Sequence, residues 1–544
     1  MIRIHFGLAL CLLLLFLSGI LLVTGTQEDS LLQLDYSTYL GGNGTEGHGD
    51  LFFNSEKNLI VVSETSSTDY PLLNPIQSTN KGVRDIIITI IDLEANQLTY
   101  STYLGGDGDD FVSGATIDSN GNIIIVGVTD STDFPLANPL YTNRTGRDVF
   151  LIIFDSKTNA VTLSTYLGEA SDYYSIDVIT DTDENIIVTG TTDSSSFIGT
   201  NVSEVYQNTS MGGTEGFITK LSPNGINILF STYFGGTADD AIKSVTTDSQ
   251  NNIFITGTTQ SSDLPIVNAS ITQKSPSQWD IFISKLSPDG HHLDFSTYHG
   301  GTRVWGVTRI ICDENDDIIV AGESNSVNFP LVNPYQPNYG GGAYDVFVSK
   351  FDSMTFELEF STFLGGYADE SPISLTLNTN NDIYISGCTN SADYPIQNSY
   401  ESGKHAGTDG FVTKLTNNGE MSDFSTFFGG SSYDYITDLI FYPQENDSFL
   451  ITGHVSSTNF PLVTPLQDSY GGGEFDLIIS QFTWIAGSST TSTISTPTTI
   501  PTSTLSTPTT SSEPSTPSSS NGWTLIPLLF SLIFIWATRR RVKR

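Results

Sequence analysis

The chain has 544 residues, with 60 Asp and Glu against 21 Lys and Arg, a formal net charge of −39. Such a charge repels phosphate and argues against nucleic acid as a partner, while it suits a solvated surface that attracts cations. Three cysteines, Cys11, Cys312 and Cys388, are too few and too scattered for a disulfide framework, so packing and hydrogen bonds must hold the fold.

In chain order, the first segment is MIRIHFGLALCLLLLFLSGILLVTGTQED. One Arg precedes a long apolar run that ends in small residues, which predicts a secretory signal peptide over residues 1–26. The run is long for a cleaved leader, so an uncleaved anchor is the alternative. A β-rich stretch, LLQLDYSTYLGG, opens the body of the chain.

The core of that stretch then returns. STYLGG stands at 37 and 101, STYLGE at 164, STYFGG at 231, STYHGG at 296, STFLGG at 361 and STFFGG at 425, at spacings of 64, 63, 67, 65, 65 and 64 residues. A fixed period means one supersecondary unit stacked on its own copies. Within a unit, FVSGATIDSNGNIIIVGVTD places two apolar runs around a hairpin turn signal. A Pro/Asn/Thr-rich loop comes next, then DVFLIIFDSKTNAVTLSTYLG, again two β-rich runs around a polar turn. Each unit is therefore strand a, turn, strand b, long loop, strand c, turn, strand d, with no helical period.

Four antiparallel strands per unit predict a propeller blade. The chain opens on a strand d and ends its repeats on a strand c, EFDLIISQF. The two orphans complete one blade if the N-terminal strand closes the ring, which also removes two exposed edges. The expected fold is all-β: a seven-bladed β-propeller of four-stranded antiparallel blades over residues 27–486.

Next comes a Ser/Thr/Pro tract, residues 487–521, with almost no apolar side chains to bury. It predicts a disordered, O-glycosylated stalk that reaches on the order of 100 Å at ~3.1 Å per residue. Residues 522–538 are apolar, just long enough to span a bilayer as a helix, with Trp523 and Trp536 near the two ends. The basic tail 539–544 is placed in the cytoplasm by the positive-inside rule, and everything before the helix outside.

The string STYLGG…D…GNIIIVGVTDSTDFP resembles the SBBP repeat, a seven-bladed propeller repeat of bacterial and archaeal cell-surface and secreted proteins, over roughly residues 31–485. The stalk, apolar segment and basic tail resemble the C-terminal tails of archaeal surface proteins. The resemblance implies a fold and a location more than a chemistry, because propellers host many functions.

In such a blade the d–a and b–c connections share one face. The acids after STYLGG, among them Asp109, Asp110, Asp239, Asp240, Asp369 and Glu370, are expected to ring the channel mouth there. Converging carboxylates are candidates for Ca²⁺, and capping of backbone N–H groups is the competing reading. The a–b turns, such as DSNGN and DTDEN, lack the full Ca²⁺-loop spacing and read as hairpin turns. The aromatic–proline pairs, such as Phe134-Pro135, read as plugs under each long loop. His299 interrupts the STYLGG pattern and, with Arg303 and Trp305, sets one blade entrance apart; neutral drift is the expected reading and a ligand-contact patch the alternative. Asn43, Asn143, Asn201, Asn208, Asn268 and Asn446 stand in glycosylation sequons.

Neither a His-Glu-x-x-His nor a nucleophile elbow on a strand–turn–helix occurs, so catalysis is not expected. The expected role is binding or adhesion at the cell membrane, with the ectodomain outside and a protein or glycan of a neighbouring surface as partner. A hydrolase or lyase with its site at the channel mouth, and a structural coat component, are the alternatives.

Overall fold

A computed structural model describes residues 31–485 except 145, 171–175, 196, 198–204, 270, 277, 302–303 and 443–446. The leader, the stalk, the apolar C-terminal segment and the basic tail lie outside the described residues. Seven four-stranded antiparallel sheets are present. Blades 1 to 6 each take strands a to d from consecutive sequence, beginning at Asp50, Asp110, Asp177, Asp240, Val304 and Glu370. Blade 7 takes Asp434–Phe441, Ser448–Val455 and Asp476–Ile485 as strands a to c, and the N-terminal Leu31–Leu40 as strand d. That closing pair is antiparallel, from Leu31 opposite Ile485 to Leu40 opposite Leu477, as the sequence predicted.

The apolar core is divided. Each of seven clusters of buried side chains lies between two neighbouring blades, from Ile60, Ile86, Phe150 and Tyr166 between blades 1 and 2 to Leu40, Ile87, Tyr103 and Leu477 between blades 7 and 1. A sheet covered on both faces needs apolar residues on both, so strands b and c read as continuous apolar runs without alternation. Ile86, Ile87 and Ile88 are all wholly buried for this reason.

Each letter of STYLGG has a task. In blade 1, the Ser101 hydroxyl bonds that of Thr89 on strand c. The Ser101 backbone pairs with Leu73 of the b–c loop, which lies along strand d and covers its edge. The Thr102 hydroxyl accepts from Gln77 N of that loop. The Tyr103 hydroxyl donates to Ser67 O and accepts from Tyr70 N, tying the aromatic–proline plug down. Gly106 lets the chain pass under the next blade, where a Cβ would stand 2.6 Å from Asp133 Oδ1 and 2.7 Å from Ser131 Cβ.

The channel and the loop face

The innermost strands surround a cavity of about 190 Å³ to which all seven blades contribute. In five of them, strand a carries a bulge at one repeat position: between Val112 and Gly114, Ile242 and Ser244, Val307 and Arg309, Pro372 and Ser374, and Ile436 and Asp438. A bulge re-aims side chains and sharpens the local twist. The residue after it stands nine positions beyond the first Gly of each repeat. Around the ring that column reads Asp50, Gly114, Asp177, Ser244, Arg309, Ser374 and Asp438.

These side chains stitch neighbouring inner strands together. Asp438 Oδ2 accepts from Leu51 N of blade 1 at 2.9 Å, and its Oδ1 accepts from the Ser374 hydroxyl of blade 6 at 3.2 Å. Asp177 Oδ2 accepts from Val245 N at 3.1 Å, and Ser244 accepts from Ile310 N at 3.4 Å. The same role falls to Asp50, which accepts from Ala115 N. Arg309 Nη1 donates to Asp177 Oδ1 at 3.4 Å. Enclosure by protein raises the Asp50 and Asp438 carboxyls, and the Asp438 charge raises Asp50 further; Arg309 opposes both shifts. His48 faces the open channel, where enclosure and the Arg309 charge hold its ring at about 4, so it is neutral at pH 7.

The predicted acids do not gather at this channel. Asp110, Asp240 and Glu370 are wholly buried, and each accepts from the second Gly of its repeat, at Gly106 N, Gly236 N and Gly366 N. Hydroxyls at or just past the end of strand b also reach them: Ser131 on Asp110, Ser261 on Asp240 and Thr389 on Glu370. Asp109 is held by Arg84 Nε and Nη2, each at 2.8 Å, Asp239 by Thr214 N and Asp369 by Ala343 N. This is the capping geometry. Among the described residues no group of three or more His, Cys, Asp and Glu is placed to hold a metal ion.

At five blade junctions the buried acid instead faces another, the first residue of the neighbouring strand c: Glu46 with Asp476, Asp110 with Asp85, Asp240 with Glu215, Glu370 with Asp345, and Asp434 with Asp409. All ten are wholly buried. Burial raises Glu46 to about 8, Glu215 and Asp345 to about 7, and Asp85 and Asp476 to about 6, and the facing charge adds to the shift in Glu46, Glu215, Asp345 and Asp85. At the ring's seam, a Cβ on Gly41 would meet Glu46 Oε2 at 2.5 Å and Asp476 Oδ1 at 2.9 Å, and Glu46 Oε2 has no other partner.

His299 lies in the core. It is buried, its Nε2 shares a hydrogen bond with the Ser349 hydroxyl at 2.9 Å, and Phe329, Phe347 and Phe351 surround its ring. The plugs are as expected: Tyr70, Phe134, Leu264, Phe329, Tyr394 and Phe460 are all buried, and Phe197 fills the same place in the divergent third blade. Asn43, Asn143, Asn208 and Asn268 are exposed, whereas Asn201 and Asn446 lie outside the described residues. Cys312 and Cys388 are free thiols.

The d–a and b–c connections do share one face, linked by pairs such as Asp130 N to Asp109 O and Val83 N to Gly108 O. Over blades 5 to 7 this face changes character. Val327 is 90% exposed, Tyr367 60% and Tyr433 54%. The matching positions in blade 2 and its entry are the polar Thr132, Asp107 and Asp109.

Ring, seam and channel define the class: a seven-bladed β-propeller closed by its N-terminal strand. Residues 99–135 and 229–265 match the family model SBBP, a beta-propeller repeat. A curated relative, an uncharacterized WD repeat-containing protein of Acanthamoeba polyphaga mimivirus, is 28% identical over 36% of this chain, and the match spans only 17% of that relative's length. A solved structure from Dyadobacter fermentans, of unknown function, aligns with a TM-score of 0.38 and 8% identity over 84% of this chain and 99% of that one. An ulvan lyase of the polysaccharide lyase family PL25 aligns with a TM-score of 0.43 and 10% identity, over 77% of this chain and 93% of its own.

Proposed function

We propose that this propeller is a non-catalytic binding module, displayed outside the cell on the Ser/Thr/Pro stalk and held by the C-terminal apolar segment. Its ligand is a glycan of a neighbouring surface, met by the loop face of blades 5 to 7. The observation that supports this is the exposure of Tyr367 and Tyr433 on successive junctions of one face, in a repeat that carries no other aromatic residue at either position. A tyrosine offers a flat apolar ring with a polar tip, at a small entropic cost of ordering. Sugar rings stack on such a surface, and the Asn390, Asp393 and Ser456 side chains around it offer partners for hydroxyls.

The test is a glycan array probed with the full chain and with a Tyr367→Ala/Tyr433→Ala variant. Binding to a defined glycan set that falls at least tenfold in the variant, with an unchanged melting temperature, is the expected result. Equal binding by both proteins, or recognition of a protein partner alone, would overturn the glycan reading.

A further inference from the structure

The channel carries a different opportunity. Charged groups of both signs line it. Lys243 and Arg309 line it from blades 4 and 5 and Asp50 from blade 1, while Asp438 of blade 7 acts on Asp50 from outside that lining. In a ring of seven, the junction of blades 7 and 1 lies across the channel from blade 4. Arg309 has its ion pair with Asp177, while Asp50 and Asp438 feel its charge without an ion pair to it. Opposite charges thus face one another over open space.

The walls between them are suited to a small molecule. His48 and Phe111 present aromatic rings, Ile176 and Ile373 present apolar surface, and the neutral His48 does not repel a cation. The His48 ring packs edge-on against His454 at 4.8 Å, which itself stacks on Tyr435, so the aromatic wall is fixed from behind. The volume, about 190 Å³, is below the ~300 Å³ at which pockets for drug-sized ligands begin, so only a small ligand fits.

We propose that the channel binds a small zwitterion of the amino-acid type, its carboxylate on Arg309 and its ammonium group on Asp50. Such a ligand satisfies both sides at once. A simple anion meets the Asp50 carboxylate, and a simple cation meets the Arg309 guanidinium. Arg and carboxylate form short, charge-assisted hydrogen bonds, and the strongly negative body steers the ammonium end inward. All seven blades line the cavity, so occupancy adds bridges across the ring to the Arg309–Asp177 pair that joins blades 5 and 3, and the melting temperature should rise with ligand. This site does not rest on the loop-face reading, because Tyr367 and Tyr433 do not line the cavity.

The experiment uses the full chain, with glycine, L-alanine, L-glutamine, ethylammonium and acetate as probes, followed by thermal melting and isothermal titration. At least one amino acid is expected to bind saturably, ten times or more tightly than ethylammonium or acetate. Arg309→Met should abolish that binding while the melt without ligand stays within a few degrees, since Arg309 makes one side-chain bond. As a second variant, Arg309→Lys keeps the charge and should restore part of the affinity. If acetate or ethylammonium binds as well as the amino acids, or if none of the probes binds, the zwitterion site is refuted and the polar ring is a clasp between blades alone.

Discussion

A single hydroxyl shows how tightly the repeat is specified. Tyr103 bonds the backbone on both sides of the turn before the plug, at Ser67 O (2.9 Å) and Tyr70 N (3.0 Å), and Tyr39, Tyr233 and Tyr298 do the equivalent with Ser457, Ser194 and Ser261. Tyr103→Phe leaves the buried Tyr70 N–H without its partner. That costs about 1–3 kcal/mol, read as a lower urea midpoint with an unchanged slope. The fold should survive, because Phe363 and Phe427 occupy this position in blades 5 and 6 without a hydroxyl. Arg309 teaches a different lesson about single residues. Counting arginines along the chain hides it, because its meaning comes from its column. Only when the seven repeats are aligned do Asp50, Asp177, Arg309 and Asp438 fall into one ring.

At the scale of the hairpin, strand c and the a–b turn are locked by buried ion pairs in four blades: Lys220 to Asp181, Lys285 to Asp248, Lys350 to Asp313 and Lys414 to Asp382. Blade 1 solves the same problem with Ile90 and the neutral Asn54. Lys350→Ile alone strands Asp313, whose side chain is fully buried, and should cost about 3–5 kcal/mol. Adding Asp313→Asn copies the blade 1 solution and should recover most of the loss; chemical denaturation of the single and double variants measures both. The strands, turns and loops of each blade were legible in the sequence, because hairpin signals and apolar runs are local and repeat seven times. The roles of the acids were legible only in part. Capping by Asp110 is what a tight turn calls for. The carboxyl facing it, Asp85, lies 25 residues away on another strand, and no local pattern announces that meeting.

For the whole molecule the paired acids set a pH preference. Glu46, Glu215, Asp345, Asp85 and Asp476 have folded-state values raised above their ordinary ones. Groups of that kind contribute stability that is complete below about pH 4 and lost as pH climbs through about 6 to 8. Asp181 and Asp248 act in the other direction. Burial pushes both up, but bonds from Lys220 and Asn185, and from Asn252 and Lys285, outweigh it and hold them low. Their contribution is present above about pH 4 and disappears as pH falls below it. The melting temperature should therefore peak in mildly acidic solution, near pH 5, and fall toward pH 9. A flat profile between pH 5 and 9 would show that the facing carboxyls do not share protons. The seam between Leu31–Leu40 and Asp476–Ile485 also imposes an order on biosynthesis. The propeller's first strand is the last to find its place, because its partner is finished only at residue 485. For that interval an apolar edge strand waits beside six blades that can already pair, open to the last strand c of another copy. Dilute, prompt completion yields a closed ring, while crowded or stalled synthesis yields exchanged dimers joined through blade 7.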